Sequence, residues 1–165
     1  MTGPLKSAAV HLGRELVVHI PGPRRHVDHL LRRMAAEGIE VLAHCCASHA
    51  GGNHLLMVLE NVEAACAMVR SAGYKCDTKP IIWIAAPCRV GLAALLGQQL
   101  RAEGVNILYT YGSWDAWPRA VLVFKTTHDD RAFGILNAAL EDLMLARRSA
   151  DWVESAASAA PMNRC

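Results

Sequence analysis

The sequence predicts an α+β fold in which one unit is written twice, as antiparallel strands with helices packed on one face. Three observations carry this expectation. Ala36-Glu37-Gly38 and Ala102-Glu103-Gly104 are the same tripeptide 66 residues apart, each followed by an alternating apolar run. Shifting the chain by that offset without a gap lays "ELVVHIP" (15–21) over "IIWIAAP" (81–87), two apolar runs that both end at a proline, Pro21 and Pro87. The same shift lays Val27, Leu30 and Met34 over Ala93, Leu96 and Leu100, the stripe of an amphipathic helix.

Taken in order, each unit begins with that apolar strand and continues into the striped helix. Gly38 and Gly104 close the helices, where a left-handed cap favours glycine. Ile39, Val41 and Ala43, like Val105, Ile107 and Tyr109, alternate as a second strand does. "HLLMVLE" (54–60) and "AVLVFKT" (120–126) supply a third strand, and second helices are expected over about 62–72 and 129–139. A last strand is expected at "YKCDT" (74–78) and, in the second unit, at about 140–145, where "LEDLM" (140–144) is its counterpart by offset. A short helix near "SADWVESAAS", capped by Ser149, would follow. The βαββαβ order, twice over, is the ferredoxin-like arrangement. The units are placed at 14–79 and 80–146, with terminal extensions at 1–13 and 147–165. Helices cover one sheet face and leave the other to find a partner. The units are therefore expected to associate, and two chains to pair as a homodimer.

Composition narrows the function classes. Hydrophobic residues make up 53% and charged residues 19%, a high apolar share that also favours an oligomer. The formal net charge is only +2, and basic residues occur as pairs such as Arg24-Arg25, Arg32-Arg33 and Arg147-Arg148, so no nucleic-acid groove is indicated. No apolar run approaches the roughly 18–20 residues of a membrane helix. The start "MTGPLKSAAVHLGREL" lacks the apolar stretch of a secretory signal, so a cytoplasmic protein is expected. Cys45, Cys46, Cys66, Cys76, Cys88 and Cys165 form no CxxC pair and read as reduced, mostly buried thiols. Nothing has the spacing of an acid/base carboxylate pair, a phosphate loop or a Ser-His-Asp set. The chain is therefore read as a non-enzyme without a cofactor.

With this element order, an apolar strand ending in a Pro/Gly loop and the helix running into "AEGVNI", the chain resembles the ACT domain family, and within it small stand-alone proteins of two tandem ACT domains. The resemblance covers about residues 14–145, and "APCRVGLAALLGQQLRAEGVNILY" (86–109) carries most of it. It implies a regulatory module that binds a small molecule, usually an amino acid, at an interface between ACT units. By position, the implied ligand-binding residues are the loop Pro87, Cys88, Arg89, Val90, Gly91 and Leu92, with Asn106 and Ile107 at the start of the next strand. Physical chemistry agrees. A glycine turn opening a helix presents free backbone N–H groups and a positive dipole end to a carboxylate. An asparagine amide both donates and accepts. Val90 stands where the family usually has a proline, and Cys88 where it often has a polar contact. In the first unit Arg25 takes the glycine position unless Gly22 serves, and Glu40 replaces the asparagine. That carboxylate would repel an amino acid's own, so the first unit binds nothing, binds something cationic or packs against the second.

Two other readings remain open. "HCCASHAGGNH" gathers His44, Cys45, Cys46, His49 and His54, a borderline-to-soft set that suggests a metal-responsive regulator. On a strand, however, residues 44 and 46 point away from residue 45, and Gly51-Gly52-Asn53 reads as a hairpin turn, which favours packing cysteines. Cys88 has no His, Asp or Glu within its loop to act as base, and Arg89 cannot accept a proton, so a nucleophile is not favoured. A structural, partner-binding module with decayed ligand loops is the other alternative. The aromatics of "YTYGSWDAW" (109–117) are expected to seal a sheet-to-sheet contact.

Overall fold

Two twelve-residue strands hold the fold together. β1 (Ala9–Ile20) and β4 (Cys76–Pro87) pair antiparallel from Ala9 opposite Ala85 to Val18 opposite Cys76. The structure, a computed structural model, describes residues 8–21, 25–49, 52–88, 90–113 and 119–146. Between these strands lie α1 (Arg25–Ala36), β2 (Val41–His49), β3 (Gly52–Leu59) and α2 (Val62–Ser71). After β4 come α3 (Leu92–Ala102), β5 (Ile107–Ser113), β6 (Arg119–Thr126) and α4 (Asp129–Ala146). The six strands form one antiparallel sheet in the order β2-β3-β1-β4-β6-β5, rather than the separate sheets expected from the sequence. No helix of the described residues is long and apolar enough to cross a membrane.

The internal repeat is present in the pairing itself, with one slip. Leu16 faces Met57, and Ile82 faces Phe124, so the offset is 66 on one strand and 67 on the next. A gapless shift matches Met57 with Val123, whose side chain points to the opposite face, because a one-residue slip inverts a strand. The second hairpin is thus one residue longer. A bulge recurs at the same place in both halves, between Val41 and Ala43 and between Ile107 and Tyr109. The helix ends also match. Gly38 and Gly104 both have φ 70, and beyond them the Ile39 and Val105 N–H groups each donate at 2.9 Å, to the Met34 and Leu100 carbonyls.

The strand expected at 140–145 is instead the last part of α4. Ala132, Leu136 and Leu140 recur every four residues and are all buried, so "LEDLM" continues the helix stripe. The edge position such a strand would fill is taken: residues 9–14 of β1 lie beside residues 80–85 of β4. The other half of β1 pairs with residues 76–79, so the runs expected at 74–78 and 81–87 meet in one strand that begins at Cys76. The helix expected near Ser149 lies outside the described residues.

Two cores lie under the helices. Leu16, Val18, Leu30, Met34, Met57 and Val69 form one, and Ile82, Ile84, Leu96, Leu100, Phe124 and Leu136 the other. A third, Ala43, Val58, Ile81, Val121 and Val123, lies on the opposite face of the sheet. That face was expected to find a partner, first through association of the two units, and Ile81 and Val123 are 0% exposed within the single chain. The sheet curls onto itself: the edge strands β2 and β5 come within 8 Å between Cα atoms. In a flat sheet five strand spacings would hold them about 24 Å apart. Strand twist curls the sheet, and the bulges in β2 and β5 tighten it where the edges meet.

Candidate functional site

Pro87 ends β4 and pairs with Arg119 at one end of the sheet. The chain then turns through Cys88 into α3. Arg89 lies outside the described residues. Gly91 caps α3 in the left-handed region, φ 82, without a side-chain capping bond, so the first N–H groups of the helix have no side-chain acceptor from the cap. A Cβ at Gly91 would meet no atom within 4 Å, so it is the backbone conformation that demands glycine. Leu92 turns inward and is buried in the second helix-side core, which fixes the start of α3. Val90 is 98% exposed.

Asn106 lies at the other end of α3. Eleven residues of helix put it roughly 16 Å from Gly91. Its side chain is exposed and its carbonyl accepts from the Thr127 N–H at 3.0 Å. Ile107 packs against the second core and begins β5. Asp129 braces this corner, accepting from the Thr126 N–H at 3.0 Å, from the Thr126 hydroxyl at 2.8 Å and from Lys125. Burial raises the Asp129 carboxyl, but these donors outweigh it and hold the group below the usual carboxylate range. The fold therefore presents both parts of the sequence-derived site at the surface and separates them within one chain. Each carries an uncovered apolar neighbour, Val90 beside the loop and Leu108, 58% exposed, beside Asn106.

A polar cluster inside the curled sheet was not foreseen. Glu15 is 0% exposed and accepts from the hydroxyls of Tyr109 and, at 2.9 Å, Tyr111. Burial pushes both phenols above their ordinary value, and the Glu15 carboxyl adds to the shift. Burial likewise raises the Cys45 thiol, with Cys46 and Glu15 contributing. The sequence signal was a lone acid in an apolar strand whose counterpart at the 66-residue offset is Ile81. The two tyrosines seal this interior, whereas Trp114 and Trp117 lie outside the described residues.

The His/Cys stretch is split by its strands. His44 and Cys46 are exposed on the helix side of β2, and Cys45 turns to the curled interior beside Leu56. His54 lies on β3 opposite His19, ring centroids 4.8 Å apart. Among the described residues no three His, Cys, Asp or Glu side chains gather as metal ligands. A cleft of about 310 Å³ opens at the end of β1, lined by His19, Tyr74 and Lys75 among others.

No family model matches the chain, and no curated protein matches it. Solved structures do. Protein BT0572 from Bacteroides thetaiotaomicron superposes with a TM-score of 0.64 at 20% identity, over 78% of this chain and 89% of that one. A structure of aspartokinase alpha and beta subunits gives 0.57 at 16% identity, over 82% and 98%. The ligand-free regulatory subunit of aspartate kinase from Thermus thermophilus gives 0.57 at 13%, over 81% and 97%. At these identities the likeness is one of fold, and it agrees with the ACT-like fold expected from the sequence.

Proposed function

We propose that this chain is a non-enzymatic regulatory protein that binds an amino acid, built from two tandem ferredoxin-like ACT units, about 14–79 and 80–146, that share β1 and β4. One observation carries the reading: nearly the whole length of a regulatory subunit of aspartate kinase is matched by this chain. The ligand carboxylate meets the N–H groups at the start of α3, and the Asn106 amide holds its polar groups. Gly91 and Asn106 lie at opposite ends of α3, so the site is completed between two copies, the loop of one facing Asn106 of the other. A two-fold homodimer that sets the α3 helices antiparallel makes two such sites and covers Val90 and Leu108.

A thermal-shift screen against the twenty amino acids tests this. A ligand present at about 100 times its dissociation constant adds roughly 2.7 kcal/mol and raises the melting temperature by several degrees. Asn106→Ala is expected to weaken that ligand about tenfold, while Glu40→Ala leaves it unchanged or improves it. A flat screen contradicts the reading. The reverse order of the two variants would move the site to the first unit.

A further inference from the structure

The pairing registers give residues of one half a counterpart in the other, and one end of the sheet breaks the match. Arg14 faces Pro80, and a half-turn about that pair exchanges the two central strands, carrying Val17–Asp77 onto Trp83–His11. Under the same exchange His19 corresponds to Ala85 and Lys75 to Ala9, with Tyr74 falling on Ala8 just before the strand. His26 corresponds to Leu92, and His54, on the strand with the longer offset, to Val121. Five polar side chains at one end thus stand where the other end has Ala, Leu or Val. Ala85, Leu92 and Val121 are buried at 3%, 9% and 6% exposure, so apolar filling satisfies the fold at these places. The polar set is an addition that folding does not require.

Three of them, His19, Tyr74 and Lys75, line the cleft at the end of β1, while His26 lies against Tyr74 and His54 against His19. The Tyr74 hydroxyl lies 2.8 Å from His26 Nδ1, in the first turn of α1, with the two rings edge to face. His19 Nε2 meets Asp77 at 3.0 Å, and that hydrogen bond holds the Asp77 carboxyl below the usual range. Asp77 is thereby matched. Lys75 is exposed and forms no salt bridge among the described residues, so its ammonium on the cleft wall has no counter-ion among them. The volume suits a small molecule.

We propose that this cleft binds a small oxyanion, a carboxylate or phosphate group, with Lys75 as its counter-charge and His19 and Tyr74 as hydrogen-bonding partners. The site belongs to the first half and is separate from the loop and Asn106 of the second. Calorimetric titration of the full chain with inorganic phosphate and, in a parallel arm, succinate tests it and tells the two chemistries apart. Lys75→Ala and His19→Ala install the residues that the second half carries at these places, so the fold tolerates them. Each is expected to weaken the bound probe about tenfold or more, with Asn106→Ala unchanged. Charge reversal by Lys75→Glu, at an exposed position, should abolish the signal while circular dichroism stays native. Binding untouched by these variants, binding lost in Asn106→Ala, or no binding of either probe overturns the proposal. A flat amino-acid screen alongside cleft-dependent phosphate binding would overturn only the amino-acid reading.

Discussion

At position 15 the first half of the sheet places a glutamate, and at the counterpart position 81 the second half places an isoleucine; both are 0% exposed. The residues that receive Glu15, Tyr109 and Tyr111, have Ala43 and Cys45 as their own counterparts. A duplicated backbone therefore accommodates two solutions at one place. The apolar solution shows that the curled interior needs no charge-bearing group. The polar one ties central β1 to edge β5, three strands away, by bonds that exist only while the sheet is curled. The ends of the sheet differ in the same sense, with His19, Tyr74 and Lys75 lining a cleft at one and apolar residues at the counterpart places of the other.

The largest effect expected from breaking this comparison comes from Glu15→Ile, which copies the second half into the first. It leaves two phenol hydroxyls without their acceptor, and urea denaturation should show a loss of about 1–3 kcal/mol. Adding Tyr109→Phe and Tyr111→Phe removes the stranded donors, so the triple variant should regain most of that loss, as apolar replacement of a buried polar set does. A triple variant no more stable than Glu15→Ile would mean that the hydroxyls have other partners.

A smaller effect is expected at alkaline pH. Both phenols are raised above the ordinary tyrosine value of about 10, so their contribution is fully present below that pH. It is lost as pH climbs above it, because the unfolded chain releases those protons first. Tyrosinate absorbance of Tyr109 and Tyr111 should therefore appear together with unfolding. Absorbance from both rising near pH 10 in the folded protein would show that the cluster is open to solvent.

Much of this plan was legible in the chain. The apolar stripes, the paired prolines and Gly38 with Gly104 located the elements of the described residues except at 140–146 and in the first half of β1, because local periodicity and caps write those features directly. The first exception, residues 140–146, depends on a distant event: the first half of β1 occupies the edge that a strand there would need. "AVHLG" falls in the terminal extension expected at 1–13, although Val10 and Leu12 alternate with His11 and Gly13 as a strand does. The slip from 66 to 67 falls in a hairpin, where no periodicity marks an added residue. Curling depends on twist and two bulges, which residue types do not announce. At the site, Gly91 and Asn106 were readable as chemistry, but the length of helix between them becomes a constraint only in three dimensions. Part of the cleft's asymmetry shows at the gapless offset, with His19 over Ala85 and His26 over Leu92, but the counterparts of Tyr74, Lys75 and His54 emerge only from the pairing registers.

The most direct test of a site shared between copies is a mixing experiment. Gly91→Val strains the left-handed cap at the loop, and Asn106→Ala removes the amide, so at a concentration of the screened amino acid near the wild-type dissociation constant, where a tenfold loss leaves sites largely empty, neither variant alone should bind appreciably. Unfolded and refolded together in equal amounts, they form mixed dimers in which one site takes its loop from one chain and its asparagine from the other. Calorimetry should then recover about a quarter of the wild-type sites. A mixture as inactive as its two parents would contradict a shared site and place the ligand within a single chain.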